Sequence, residues 1–365
     1  MRLTRRGLFA GLAAGLAAGL ACGLVGASAQ VQQPGPIRRR WPTGNARLAP
    51  PARAEELVSY AGDKTIGAIS PQRQEPLWGR PHGLAGAAVF RPRAAGGRLM
   101  CGGLQEVACW DLLGGELYWR YRPRVQAGVP LVTAGRTYLG DGHEIVALDN
   151  QSGAPVWRFA GVTDTLVSYA PAIAGDTLFV GPGDGRLYAL DAGDGALRWA
   201  LDLSAQWQYL RQLHLSGDVL VAGGYREKLY GISTKDGAVL WSFNAGNFIN
   251  SHCVSGTTAY LWSPTGWVYA IDTATGAVRW RHRTTDYSDA AANRAANWAA
   301  VMAELVVEDR RLYALAMDHV LHVLDAETGA PGARLPLSEP VRPAVLPVPG
   351  AGLVFATVQG DLILV

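Results

Sequence analysis

The sequence predicts an all-β fold: an eight-bladed β-propeller of four-stranded antiparallel blades, its ring closed by an N-terminal strand that completes the C-terminal blade. Three observations predict it. Seven of the twelve tryptophans, Trp41, Trp78, Trp119, Trp157, Trp199, Trp241 and Trp280, recur at intervals of 37, 41, 38, 42, 42 and 39 residues. That is the period of a four-stranded blade rather than of a helical repeat. Each of these tryptophans ends a segment that overlays on the others, and the two ends of the chain hold complementary fragments of one further unit.

In chain order, residues 37–41 read as a lone outermost strand ending at Trp41. Residues 48–70 align without a gap with residues 169–191, so a complete blade precedes Trp78. Within a unit, apolar runs such as 178–180 and 187–190 are short strands, and Gly183-Asp184-Gly185 between them is a tight turn requiring positive φ. A second turn, Asp-x-x-x-Gly, follows; its Asp side chain can accept backbone N–H bonds and its Gly takes the left-handed position. The next strand carries the tryptophan, whose apolar face can bury against the neighbouring unit while its indole N–H needs an acceptor. The clearest copies are 147–157, 189–199 and 270–280, and weaker ones are 231–241, 109–119 and 68–78. A seventh, 323–333, keeps Asp325 and Gly329 but ends at Ala333 in place of tryptophan. Residues 341–346, 353–357 and 361–365 then supply three strands, and the fourth is at the N-terminus. Pairing the two ends in one blade hides open sheet edges and locks the ring.

The first 29 residues read as a separate export signal, with the propeller domain occupying residues 30–365. Arg5-Arg6 precede a mildly apolar Ala/Gly/Leu run to Val25 and an Ala27-Ser28-Ala29 cleavage site, which is the pattern of a twin-arginine signal peptide. Cys22 raises lipid anchoring, but Leu20 stands one place later than a lipobox requires, so cleavage after Ala29 is preferred. The expected location is periplasmic or extracellular. Cleavage removes Arg2, Arg5 and Arg6 and no acid, leaving 30 basic against 30 acidic side chains. A near-neutral chain without a basic stripe is not built for nucleic acid, and no second apolar run is long enough to span a bilayer. A monomer is expected. Cys101 and Cys109 lie on the two strands of one predicted hairpin, where an oxidising compartment could join them as a disulfide. Cys253 reads as a buried small apolar residue.

Loops joining consecutive blades and loops between the second and third strands of a blade project to the same face. The regular Asp-x-x-x-Gly turns crowd the other, so the variable face is the expected binding face. The largest departure from the repeat is the 53-residue interval from Trp280 to Ala333, whose excess carries Tyr287, Arg294, Asn297 and Trp298. Further candidates near the axis are His82, Tyr169, Trp207, Tyr209 and Arg211, followed by Asn247, Asn250, His252 and Arg342. Such aromatic and amide-rich loops suit a peptide, a sugar or a planar ring. No G-x-S-x-G elbow, Walker loop or dinucleotide fingerprint occurs, so no catalytic residue is assigned. His319 and His322 point to opposite faces of a strand and make a poor metal pair. Gly140-Asp141-Gly142 and Gly183-Asp184-Gly185 read as hairpin turns rather than calcium sites, and no metal is expected.

The A-x-D-x-x-T-G-x-x-x-W pattern, best kept at residues 270–280, resembles the pyrroloquinoline-quinone-like propeller repeat across nearly the whole mature chain. One branch of that superfamily, the quinoprotein alcohol and glucose dehydrogenases, implies a quinone (PQQ) and calcium near the axis. It also implies an Asp general base and a disulfide between adjacent cysteines. This sequence has no Cys-Cys pair, no C-x-x-C-H haem motif and little chain beyond its blades. The other branch resembles the propeller subunit of the outer-membrane β-barrel assembly machinery, a compact scaffold without a cofactor, and implies the same size and compartment. The expected function is an exported, non-enzymatic scaffold without a cofactor that binds an envelope protein or peptide. A PQQ-dependent dehydrogenase with calcium is the alternative, and a carbohydrate-binding propeller a second one.

Overall fold

The computed structural model describes residues 35–161, 165–206, 210, 212–223, 227–246, 251–263, 265–284, 305–316 and 320–365. The export-signal reading of residues 1–29 lies outside them. Short runs of β-branched, aliphatic and aromatic residues, cut by turns at left-handed glycines, pair with their sequence neighbours into antiparallel sheets. Blade 1 consists of Ala52–Ala54, Leu57–Ala61, Thr65–Ser70 and Glu75–Pro81. Six further four-stranded sheets follow in sequence, at 93–121, 131–160, 172–202, 212–244, 251–283 and 306–336. The eighth combines Leu346–Val348, Gly352–Ala356 and Asp361–Leu364 with the N-terminal strand Arg39–Pro42. In that blade Arg39, Arg40, Trp41 and Pro42 face Leu364, Ile363, Leu362 and Asp361. Arg40 reinforces the closure by pairing with Asp361 at 2.8 Å and with Glu339. The first strand of this blade begins later than expected: residues 341–346 supply only the bridge from Val341 to Thr357, and the strand proper is Leu346–Val348. Pro343 has no N–H to give a ladder there.

The repeat has a packing explanation. In blade 3 the Asp149 carboxylate accepts the N–H groups of Gln151 and Ser152 at 3.0 and 2.9 Å, while Gly153, at φ 71°, donates to the Asp149 carbonyl at 2.8 Å. This turn presents a flat glycine to the preceding blade: a Cβ on Gly153 would stand 2.5 Å from the Trp119 ring. The Trp119 indole N–H donates to the Asn150 carbonyl at 2.8 Å. Trp78, Trp157, Trp199, Trp241 and Trp280 repeat both contacts, each donating to the carbonyl of the next blade at 2.8–3.1 Å. Within its own blade each indole lies opposite a small residue, as Ala147 faces Trp157, Ala189 faces Trp199 and Gly231 faces Trp241. The ladder carries a bulge at that point in all seven continuous blades. Burying each indole against the neighbouring blade contributes roughly 2–3 kcal/mol to the cohesion of the ring.

Two junctions differ. Trp41, in the closing blade, is buried against Val58, Tyr60 and Ile69 of blade 1, yet its indole N–H has no acceptor. The blade 1 turn after Ser70 has Gln74 at φ 57° where the others place glycine. At the junction of blades 7 and 8, Ala333 replaces tryptophan, and Val323 occupies the small residue's place. The turn an indole would meet is also missing, because the third and fourth strands of blade 8 come from opposite ends of the chain. A groove of about 990 Å³ remains along this seam.

Cys101 and Cys109 are both buried and both free, so the disulfide is not formed. In the hairpin Cys101 faces Ala108 and Cys109 faces Met100, which sets the two thiols on opposite faces of the sheet. Cys101 packs with Leu99 and Trp110, and Cys109 with Met100 and Trp119. Burial raises both thiols, Cys109 to about 11.

Candidate functional site

The innermost strands of six blades, with residues 169–171 leading into blade 4, surround an axial cavity of about 750 Å³. Its wall includes Arg53, Arg91, Arg93, Tyr169, His214 and His252. Arg53 is paired with Glu308 at 2.8 Å. His252 is buried edge-on to His214, their ring centroids 4.8 Å apart. Burial, with His214 alongside, holds its pKa well below the ordinary imidazole value.

Four of the thirteen sequence candidates are among the described residues. Tyr169 and His252 line the cavity. His82 is buried and shapes its loop instead of presenting a ring: its Nδ1 accepts the Leu84 N–H at 2.9 Å. Arg342 is half-buried in the connection between blades 7 and 8, its N–H donating to Ala356 at 2.7 Å. Trp207, Tyr209, Arg211, Asn247, Asn250, Tyr287, Arg294, Asn297 and Trp298 lie outside the described residues. The cavity wall, among the described residues, contains no carboxylate, and the buried cysteines of blade 2 are not part of it. The groups implied for quinone and calcium by the dehydrogenase resemblance are therefore not assembled by these residues.

On the variable face, blades 1 to 3 share a device that the sequence reading did not single out. In each of these blades an acid at the turn between the second and third strands holds the loop arriving from the blade before. Asp63 accepts the N–H groups of Ala46 and Arg47 at 2.9 and 3.0 Å. Glu106 accepts the Ala85 N–H at 3.0 Å, together with the Arg120 and Arg122 guanidiniums at 3.0 Å each. Arg120 in turn donates to the carbonyls of Gly83 and His82 at 2.6 and 3.0 Å. Asp141, buried, accepts the Tyr121 hydroxyl at 2.6 Å, Arg158 at 2.8 Å and the N–H groups of Arg124 and Val125 at 2.6 and 3.3 Å. The turn of Gly140-Asp141-Gly142 is thus a hairpin turn whose carboxylate serves the incoming loop. Burial opposes the charged form of Glu106 and Asp141, but their hydrogen bonds and guanidinium partners outweigh it and hold both below the usual carboxylate range.

On these clamped loops stand three exposed aliphatic side chains: Val89 at 52%, Leu104 at 48% and Val125 at 65%. They stand on loops that lie side by side. A Cβ on Gly103 would meet Val89 at 3.4 Å, the Leu104 carbonyl accepts the Ala127 N–H at 2.8 Å, and a Cβ on Gly142 would meet Val125 at 2.9 Å. Beside them the Arg122 and Arg124 side chains are 74% and 64% exposed.

A family model described as outer membrane protein assembly factor BamB matches residues 62–211, 207–303 and 264–364. No curated protein matches the sequence. Among solved structures, BamB from Moraxella catarrhalis is similar with a TM-score of 0.67 and 17% identity, over 89% of this chain and 94% of that one. The computationally designed Ika8 protein has a TM-score of 0.73 and 15% identity, over 90% and 99%. The quinohemoprotein alcohol dehydrogenase ADHIIG from Pseudomonas putida HK5 has a TM-score of 0.68 and 11% identity, over 90% of this chain and 75% of that one. At these identities the structures share the fold alone.

Proposed function

The chain belongs to the β-propeller family described as outer membrane protein assembly factor BamB, and from that premise we propose that it is an exported, non-enzymatic scaffold that binds an envelope protein or peptide through its variable face. The observation that carries this reading is the clamped surface of blades 1 to 3. A group of exposed aliphatic side chains on neighbouring loops, rimmed by arginines, is the kind of surface that a protein partner covers. Here they sit on loops fixed by buried carboxylates, so little ordering is left to oppose binding. Among the described residues, no helix is long and apolar enough to cross a membrane. The twin-arginine signal and cleavage after Ala29 supply the route out of the cytoplasm in this reading.

The test is site-specific photo-crosslinking in living cells. A crosslinking amino acid at Val125 should trap a discrete envelope partner, and one at Leu113, in the Asp-x-x-x-Gly turn of the opposite face, should not. Equal trapping at both positions, or none at Val125, would refute the reading. The dehydrogenase alternative draws on the arginine-bearing axial cavity and on the fold shared with the alcohol dehydrogenase. It requires a melting temperature that rises several degrees with micromolar quinone and calcium.

A further inference from the structure

We propose that the blade 1 to 3 sector of the variable face recognises an acidic amphipathic segment of a partner protein, one in which carboxylates flank aliphatic or aromatic side chains. This inference rests on the scaffold reading and names the chemistry of its partner.

Most exposed apolar residues elsewhere belong to the repeat, the exceptions being Leu113, isolated in an opposite-face turn, and Val358 of blade 8. Leu77, Val156, Leu197, Leu240 and Val278 all stand one or two places before a blade tryptophan, on the outermost strand. Val89, Leu104 and Val125 also lie off that pattern, and they differ from Leu113 in standing on neighbouring loops of the variable face. Fifteen residues before the tryptophan, where blade 2 has Leu104, the other described blades have Asp63, Gly142, Asp184 and Thr265. Architecture therefore does not demand a leucine at this point.

Charge selects the partner. Residues 120–130, at the end of the blade 2 sheet and in the loop that follows, carry Arg120, Arg122 and Arg124 and no acidic residue, and Arg124 is paired with Glu144 of blade 3 at 3.5 Å. The single Glu106 carboxylate is shared by Arg120 and Arg122, so one positive charge in that cluster is not neutralised. The more exposed of the two, Arg122, is next to the aliphatic patch. Glu106, whose side chain is 1% exposed, is spent on the clamp and does not face a ligand. A basic segment would meet the uncompensated Arg122 guanidinium here, whereas an acidic one gains a charge-assisted carboxylate pair beside an apolar contact.

The experiment is selection of a displayed random 12-residue peptide library on the purified mature protein, followed by affinity measurement of the enriched peptides. Enriched sequences are expected to combine Asp or Glu with Leu, Ile, Val or Phe. Their binding should weaken about tenfold or more in Leu104→Glu and in Arg122→Glu, stay unchanged in Leu113→Glu, and fall as salt is raised. Circular dichroism and melting of each variant confirm that the ring is folded. Failure to enrich peptides, enrichment of basic or uncharged ones, or binding indifferent to both substitutions would overturn the proposal. If crosslinking at Val125 still traps a partner in that event, the scaffold reading survives and only the assigned chemistry falls.

Discussion

Replacing Glu106 by glutamine keeps the side chain's shape and removes its charge, which isolates what the clamp contributes. The carboxylate accepts three hydrogen bonds, from Ala85, Arg120 and Arg122, all at 3.0 Å. Bonds to a charged group contribute about 1.5–3 kcal/mol each when intact. The amide retains one acceptor oxygen, and Arg122 can return to water, so the net loss should be about 2–3 kcal/mol rather than the sum. With an unfolding entropy of ~2.1 cal/mol/K per residue, a chain of this length loses about 3–4 °C of melting temperature for that change. Because the folded carboxyl lies below its ordinary value, its stabilisation is fully present above the unfolded pKa and is lost as pH falls through the folded one. Wild type and Glu106→Gln should therefore melt several degrees apart at pH 7 and converge as the pH is taken below 4. Differential scanning calorimetry across that range reads both quantities. A difference that is absent at pH 7, or that persists undiminished in acid, would refute the argument that charge fixes these loops.

Three further outcomes are expected. Gly153→Ala forces a methyl into the Trp119 ring and a left-handed φ on alanine, whereas Gly217→Ala, at φ 54° with nothing within 4 Å, meets only the backbone cost; chemical denaturation should show the first losing at least about 2 kcal/mol more than the second. Trp41→Phe removes an indole N–H that has no acceptor, so it should cost less than Trp119→Phe by about 1 kcal/mol or more. Since His252 is held neutral by burial, the unfolded chain binds its proton first, so this residue's penalty on stability should grow as pH falls below about 6.5. His252→Gln should flatten that part of the melting profile relative to wild type.

The repeat was legible because its chemistry is local. Asp, Gly and Trp fall within eleven residues of one another, and each has a stereochemical reason to be where it is. The loss of tryptophan at Ala333 was visible too, although the reason was not: it depends on the broken turn of blade 8, which exists only once the ends of the chain have met. The cysteine hairpin shows the limit of spacing, since one residue of register decides whether two thiols share a face. The loop clamps were hidden for a different reason. Glu106 meets Ala85, Arg120 and Arg122 at separations of 21, 14 and 16 residues, through strands whose pairing must be known first. A usable signal was present: acids 63, 106 and 141 occupy the same hairpin turn of successive blades. Aromatic and amide residues stand out against the repeat in sequence, whereas aliphatics and arginines on a rim do not, because both are common on the outer strands as well.

Amide hydrogen exchange on the mature protein, alone and bound to the envelope partner trapped at Val125, tests the central claim most directly. Docking through the variable face predicts added protection in residues 82–92, 103–106 and 120–130 upon binding. Protection confined to the opposite turns, such as 111–115 and 149–153, would contradict it.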